Sequence, residues 1–146
     1  MTKRWLNLAA AASFIFVTTP LRAAVLITPR EAKLPSDETA TRGVFSGPKI
    51  VVIAPVKGTN AVKSPLDLVI EFQPRGGVLV DANSLSVTYK KNPPVDLTER
   101  VKEFLTPSGI TMPAAEIPPG HHTIEIEVKD ADGRVGGREF SLDIAP

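Results

Sequence analysis

Apolar and polar residues alternate along the last third of the chain, in two runs separated by a turn-forming segment. Ile124, Ile126 and Val128 alternate with charged residues, and residues 140–144 again place an apolar side chain at every other position. The segment 130–133 between the two runs reads Asp-Ala-Asp-Gly, which is typical of a β-turn. Period-two alternation on both sides of such a turn predicts an antiparallel hairpin with one buried face.

Three earlier segments have strand patterns of their own. Residues 50–53 are a short run of Ile and Val, and residues 66–72 separate apolar side chains from acidic ones on opposite faces. Residues 85–89 alternate Leu, Val and Tyr with Ser and Thr. These patterns predict half-buried strands, and residues 110–112 add a further short strand before Pro113.

One segment breaks the strand pattern, because its apolar residues follow helical spacing. These residues are Leu97, Val101, Phe104 and Leu105. Asp96 and Glu99 match a capping box at the start of the segment, and Pro107 and Gly109 end it. The spacing predicts a short helix over 97–105.

Together these elements predict an all-β fold. Six or seven short strands with turn signals between them are typical of a β-sandwich with Ig-like or Greek-key connections, here with one short helix inserted near 97–105. This domain is expected to span residues 49–146.

Residues 24–48 are expected to form an extended arm or linker. The segment is rich in Pro, Gly and polar residues, and it shows no sustained periodicity. This composition favours a flexible leader to the domain. The alternative is that the apolar residues 25–27 add a short strand to the edge of a sheet.

The N-terminus has the composition of a secretory signal peptide. Lys3 and Arg4 precede an apolar stretch of about a dozen residues, whereas a membrane-spanning helix needs about 20. Small or neutral residues then predict cleavage after Ala23, so that residues 1–23 are the signal peptide. Retention of this segment as an anchor is the alternative.

Composition narrows the compartment and the class of partner. The chain has a formal net charge of +1, and removal of a leader with three basic residues and no acid would leave −2, which does not favour nucleic acid. The chain contains no Cys and no glycosylation sequon. An exported protein without disulfides or sequons fits the bacterial periplasm, and secretion from the cell is the alternative.

Two histidines are the first candidates for a metal site. Neighbouring residues in a strand point to opposite faces, so His121 and His122 are not expected to share a metal ion. The carboxylates of Asp130 and Asp132 are interpreted as turn chemistry, because a calcium site needs six or more oxygen ligands. No metal, catalytic or cofactor-binding residue is therefore assigned.

The sequence supports neither an enzyme active site nor a charged binding surface. Ser108 lies at the end of the predicted helix and not in a nucleophile elbow, so no enzyme activity is expected. Lys90 and Lys91 are interpreted as part of a solvated rim. Glu125 and Glu127 are expected on a solvent face, with Arg138 of the next strand screening them.

The motifs resemble those of bacterial Ig-like domains. The segments that carry the resemblance are Pro55 to Gly58, residues 65–72, residues 119–126 and residues 130–133. The resemblance covers 48–146 and implies a β-sandwich of an exported protein, although the Cys pair of antibody-type domains is absent.

A weaker similarity links the chain to periplasmic copper-resistance proteins of the CopC type. In that family an Asp-Gly-His turn precedes the last strand, and the processed chain begins with a metal-binding His. Here the turn is Asp132-Gly133-Arg134, and the processed chain would begin at Ala24. The resemblance therefore does not bring its metal ligands onto this chain.

The expected function is that of an exported, non-catalytic binding or interaction module of the bacterial cell envelope. It would dock a protein partner through an edge strand or its loops. The alternative is a periplasmic copper-type metal carrier with atypical ligands. The identity of the partner and the oligomeric state are left open.

Overall fold

The computed structural model describes residues 23–40, 43–56 and 60–146. Residues 1–22 of the expected signal peptide lie outside the described residues, so the leader stays a prediction. In the described part of the chain, no helix combines the length and the apolar character needed to cross a membrane.

Strands dominate the described residues, and their helices are short. In chain order the elements are β1 (Ala24–Val25), α1 (Pro29–Ala32), β2 (Lys49–Ala54), β3 (Leu66–Gln73), β4 (Val80–Tyr89), β5 (Val95–Asp96), α2 (Thr98–Val101), β6 (Leu105–Thr106), β7 (Gly109–Glu116), β8 (Gly120–Asp130) and β9 (Val135–Ile144). A short 3-10 helix, Lys102–Phe104, follows α2 directly.

The strands of the described residues form two sheets. The first has the order β1-β7-β3-β2, with β6 also paired to β7, and the second has the order β5-β4-β8-β9. The two-residue strand β1 runs parallel to β7, and the other pairings are antiparallel. The predicted all-β sandwich is confirmed, and β8 and β9 form the predicted C-terminal hairpin.

The two sheets close on one apolar core. Ile70 of β3 and Met112 of β7 are at most 2% exposed, as are Ile126 and Val128 of β8. Ile70, Ile126 and Val128 occupy the alternating positions that the sequence pattern assigned to the buried face. Burial of each such side chain contributes about 1.5–3 kcal/mol relative to full exposure, so this interface is the main source of stability.

A short helix is confirmed near 97–105, but it ends at Val101, with a 3-10 turn to Phe104, and Leu105 already belongs to β6. The predicted capping box is not formed. The N-cap residue is Leu97, which makes Glu99 the second helical residue, whereas a capping box needs the third. Asp96 Oδ1 still accepts from the Thr98 N–H at 2.8 Å. Glu99 instead pairs with Lys102, at 2.9 Å from Nζ.

The arm contributes to the fold at its beginning. β1 pairs with β7, and Leu26 and Ile27 are each 1% exposed within the core. This arrangement matches the alternative in which the arm adds a strand, and core residues therefore lie on both sides of position 49. Helix α1 was not predicted, although Thr28 and Glu31 form a complete capping box at its start.

Candidate functional site

The two sheets leave a seam open along one side of the sandwich. β2 is the outer strand of the first sheet and β9 is the outer strand of the second. The two strands face each other across the seam, where Arg138 Nη1 of β9 lies 3.4 Å from the carbonyl oxygen of Ile50 in β2. Side chains from both strands therefore reach the same space.

Within residues 23–40, 43–56 and 60–146, the outer edge of β9 is paired with other backbone only near its two ends. The Val135 carbonyl accepts from the Gly47 N–H at 2.9 Å, and the Asp143 carbonyl accepts from the Val62 N–H at 2.8 Å. Between these two contacts, every second residue of β9 directs its backbone N–H and C=O away from β8.

Three residues of β9 belong to this outward-facing set, and they are Gly137, Glu139 and Ser141. Within the described residues, their outward backbone groups have no hydrogen-bonding partner. Their neighbours Phe140 and Leu142 direct their backbone groups towards β8. The open stretch is about 13 Å long, since each strand residue adds about 3.3 Å. Four or five residues in an extended conformation match this length. At the Gly137 end, the ring of Phe45 lies against the strand.

A groove of about 610 Å³ runs beside the open edge. Its lining is mostly apolar and comes from β2, β9 and the segments near them, with the residues Val52, Pro55, Val56, Asn60, Val62, Arg138, Phe140, Ser141, Leu142 and Asp143. We call this space the seam groove. Its volume falls in the range of about 300–1,000 Å³ that is common for ligand sites.

Arg138 is a charged residue within an otherwise core-facing row of β9. It pairs with Ile126 of β8, which lies on the buried face, so its side chain points between the sheets. The expectation that Arg138 screens Glu125 and Glu127 is therefore wrong. Lys90 contacts Glu125 instead, with Nζ at 3.8 Å from Oε2.

The guanidinium group of Arg138 is poorly satisfied. In the described part of the chain, its buried Nε atom has no hydrogen-bond partner, and Nη1 makes only the long contact with the Ile50 carbonyl. Among the residues that the structure describes, no carboxylate lies within 4.0 Å of this group. Unsatisfied buried donors are rare in native proteins, which makes this group a candidate for ligand recognition.

His121 and Asp143 meet near one end of the seam groove. His121 Nδ1 lies 2.6 Å from Asp143 Oδ1, and both side chains are largely exposed. The other ring nitrogen of His121 is the only one left for a further contact. Over 23–40, 43–56 and 60–146, no three His, Cys, Asp or Glu side chains come together as a metal-binding group.

His122 points to the opposite face from His121, as the strand pattern predicted. Its Nε2 donates to the Pro118 carbonyl at 2.7 Å, and its Nδ1 accepts from the Tyr89 hydroxyl at 2.8 Å. Burial lowers the pKa of His122, and burial also raises the pKa of Tyr89 to about 12. Both groups are therefore neutral near pH 7, and they hold each other within the core.

An ion pair fastens helix α1 to helix α2. Arg100 donates to both carboxylate oxygens of Glu31, at 2.8 and 2.6 Å, and also to the Leu26 carbonyl at 2.8 Å. The hydrogen bond from Arg100 is the largest of the effects that lower the pKa of Glu31 to about 2. The pair therefore stays charged at neutral pH and holds the arm against the sandwich.

Lys90 and Lys91 also contact the arm, so their interpretation as a solvated rim is wrong. They are only 8% and 5% exposed. Lys90 Nζ lies 3.6 Å from an Asp37 carboxylate oxygen, and Lys91 Nζ donates to the Ser36 hydroxyl at 3.2 Å. Neighbouring residues of a strand usually point to opposite faces, so one of the two would be expected to be exposed. Both are buried here because the arm folds back over the end of β4.

The Asp130 carboxylate serves the β8–β9 turn. It accepts from the Asp132 N–H at 3.0 Å and from the Arg134 N–H at 2.9 Å, and Arg134 Nε donates to its other oxygen at 2.8 Å. Burial alone would raise the pKa of Asp130, but these hydrogen bonds outweigh it and hold the pKa below its usual value. The interpretation as turn chemistry agrees with this geometry.

Comparisons with known proteins assign no family to this chain. No protein-family model matches the chain, and no curated protein matches it. Among solved structures, the chain is similar to CopC from Methylosinus trichosporium OB3b, with 18% identity and a TM-score of 0.45. The similarity covers 68% of this chain and 94% of that chain. At this distance the likeness assigns no ligand.

Proposed function

We propose that this chain is an exported, non-catalytic binding module of the bacterial cell envelope. It binds an extended segment of a partner protein along the outer edge of β9. The observation that carries the proposal is the run of outward backbone groups at Gly137, Glu139 and Ser141, which have no partner among the described residues and lie next to the seam groove. The periplasmic or secreted location rests on the leader that the sequence predicts.

Strand addition at a sheet edge explains why backbone and groove lie together. A peptide that pairs with an open edge gains affinity from main-chain hydrogen bonds and specificity from pockets for alternate side chains. Here Glu139 and Ser141 supply the main-chain groups, whereas Phe140 and Leu142 supply the apolar lining. One strand can supply both, because alternate residues of β9 direct their backbone groups outward while the residues between them direct their side chains into the groove.

The chemistry of the described side chains supports a non-catalytic role. Both ring nitrogens of His122 are engaged inside the fold, with Tyr89 and with the Pro118 carbonyl. His121 is exposed and pairs with Asp143. Neither histidine hydrogen-bonds to a serine among the described residues, so the arrangement offers no activated nucleophile.

A proline at Ser141 tests the edge directly. The Ser141 N–H points outward, so Ser141→Pro removes a donor that β8 does not use. Peptides selected from a displayed library of random heptapeptides on the wild-type protein are the probe. We expect Ser141→Pro to weaken their binding at least about tenfold in fluorescence anisotropy, through the lost hydrogen bond and the added ring.

Ser141→Ala is the matched control, because it keeps the backbone N–H and loses the same hydroxyl contact with Thr123. The control is expected to bind like wild type. Equal affinities for the Pro and Ala variants, with both folded by circular dichroism, would mean that the peptides bind elsewhere.

A periplasmic metal carrier of the copper type is the second candidate. The observation in its favour is the exposed His121, whose ring is oriented by Asp143 in the way that carboxylates orient metal-binding histidines. A titration with copper(II), followed by calorimetry, separates the two candidates. Tight binding that disappears in His121→Ala supports the carrier, whereas the binding-module proposal expects no tight site.

A further inference from the structure

The structure points to the chemistry of the docked segment. We infer that the segment presents a carboxylate side chain to Arg138 and apolar side chains to Phe140 and Leu142. This inference rests on the proposed function, since it assumes that an extended segment pairs with β9. It adds the identity of the group that the seam groove selects, an Asp or Glu side chain.

The position of Arg138 carries the first step. In β9 the core-facing row holds Arg138, Phe140 and Leu142 at every second residue. A strand added beside β9 would place its own inward side chains opposite this row, because directly opposed residues of paired strands face the same side. One inward side chain of the segment would therefore meet Arg138, and the next two would meet apolar neighbours.

The hydrogen bonding of Arg138 carries the second step. Arg100 and Arg134 are each satisfied by a carboxylate at 2.6–2.8 Å, from Glu31 and Asp130 respectively. Arg138 differs from them, because among the described residues its buried Nε has no partner and its Nη1 reaches only a carbonyl at 3.4 Å. A guanidinium group presents a planar fork of N–H donors that matches a carboxylate, and an incoming acidic side chain would satisfy it.

A second copy of this chain fits the edge less well than an acidic partner segment. A two-fold antiparallel pairing centred on Glu139 would place two Glu139 side chains directly opposite each other. Like charges at directly opposed positions destabilise strand pairing. Arg138 would meanwhile gain no carboxylate on the core-facing side, because Glu139 lies on the exposed face.

Inward-pointing charges also have a purely protective role at sheet edges, where they discourage pairing with other chains. A protective role and a binding role of Arg138 predict opposite effects when its side chain is removed. If Arg138 only protects the edge, its removal strengthens peptide binding or self-association. If Arg138 recognises a carboxylate, its removal weakens the binding of acidic peptides and leaves neutral peptides unaffected.

The experiment selects random heptapeptides on the wild-type protein and on two variants, Arg138→Gln and Arg30→Gln. Arg30 is exposed on α1, so its variant removes the same charge away from the groove. We expect wild type and Arg30→Gln to select one acidic residue followed or preceded by apolar residues at every second position. Arg138→Gln should lose this acidic preference.

A double-variant cycle then measures the interaction between Arg138 and the acidic side chain of the peptide. The best wild-type peptide and its Glu-to-Gln or Asp-to-Asn version are titrated against wild type and Arg138→Gln by fluorescence anisotropy. On wild type the neutral peptide should bind at least about tenfold more weakly, as expected for a charge-assisted hydrogen bond. On Arg138→Gln the two peptides should bind alike.

The other outcomes overturn specific statements. The carboxylate inference is contradicted if the selected peptides show no acidic preference and bind Arg138→Gln as tightly as wild type. If these peptides also fail to bind Ser141→Pro, the proposed function still holds. Selected peptides that are insensitive to Ser141→Pro contradict the proposed function itself. Tighter peptide binding or dimer formation by Arg138→Gln contradicts the carboxylate inference and assigns the residue a protective role. Decanoate is also titrated into the peptide complex. If decanoate binds more tightly than the peptide and displaces it, the groove belongs to a small amphiphile and the proposed function is wrong.

Discussion

Leu26→Ala should lower the free energy of unfolding by about 2–5 kcal/mol, as large-to-small substitutions in packed cores do. Leu26 belongs to the arm, but it is 1% exposed and its backbone is held from both sides. Its N–H donates to the Glu116 carbonyl at 3.0 Å, and its carbonyl accepts from Arg100. This loss is a large share of the 5–15 kcal/mol that is typical of small domains.

The matched control is the residue next to it. Val25 is 47% exposed on β1, so Val25→Ala should change stability by less than about 1 kcal/mol. Chemical denaturation of the two variants and of the wild type measures the difference. A wild-type midpoint for Leu26→Ala would show that the arm is a flexible leader and takes no part in the core.

Tyr89→Phe should cost about 1–3 kcal/mol of stability, because it leaves a buried acceptor without its donor. Tyr89 is 0% exposed, and its hydroxyl donates to His122 Nδ1 at 2.8 Å. The aromatic ring is retained in the variant, so the contact of Lys91 with the ring, at 5.2 Å from its centroid, is expected to remain. The lost stability therefore reports the hydrogen bond itself.

A double variant separates this hydrogen bond from a general packing effect. Tyr89→Phe combined with His122→Leu removes both polar partners, so the effect of Tyr89→Phe should be smaller in the His122→Leu background. Ser86→Ala, at an exposed site on the same strand, serves as the control for removing a hydroxyl. Additive effects of the two substitutions in thermal denaturation would contradict a direct interaction between Tyr89 and His122.

Strands were the part of the fold that the sequence predicted best. In β3 and β8 nearly every second residue is buried, so the alternation of apolar and polar residues states directly which face meets the core. β7 was predicted only for residues 110–112, because Pro113 is a usual strand breaker. The strand in fact continues to Glu116 past a positive φ of 49° at Ala114.

The arm was harder to predict because its stabilising contacts are distant in sequence. Glu31 pairs with Arg100, and Lys91 pairs with Ser36, so neither contact leaves a local pattern. The local signal for α1 was available, since Thr28-Pro29-Arg30-Glu31 is a capping-box sequence with Pro at the first helical position.

The candidate site was missed for a different reason. Which strands lie at sheet edges depends on the order of strands, and the order β5-β4-β8-β9 is not written in any local pattern. One signal was present: Arg138 falls in phase with Phe140, Leu142 and Ile144, so a charge occupies a predicted core position. A charge at such a position indicates either an edge strand or a binding group.

Amide hydrogen exchange of β9, measured by NMR with and without a selected peptide, tests the edge-binding proposal most directly. In the free protein we expect protected amides at Phe140 and Leu142 and fast exchange at Glu139 and Ser141, whose N–H groups point outward. A saturating peptide should slow exchange at Glu139 and Ser141. Protection at these two residues in the free protein, or unchanged exchange with bound peptide, would contradict binding at the β9 edge.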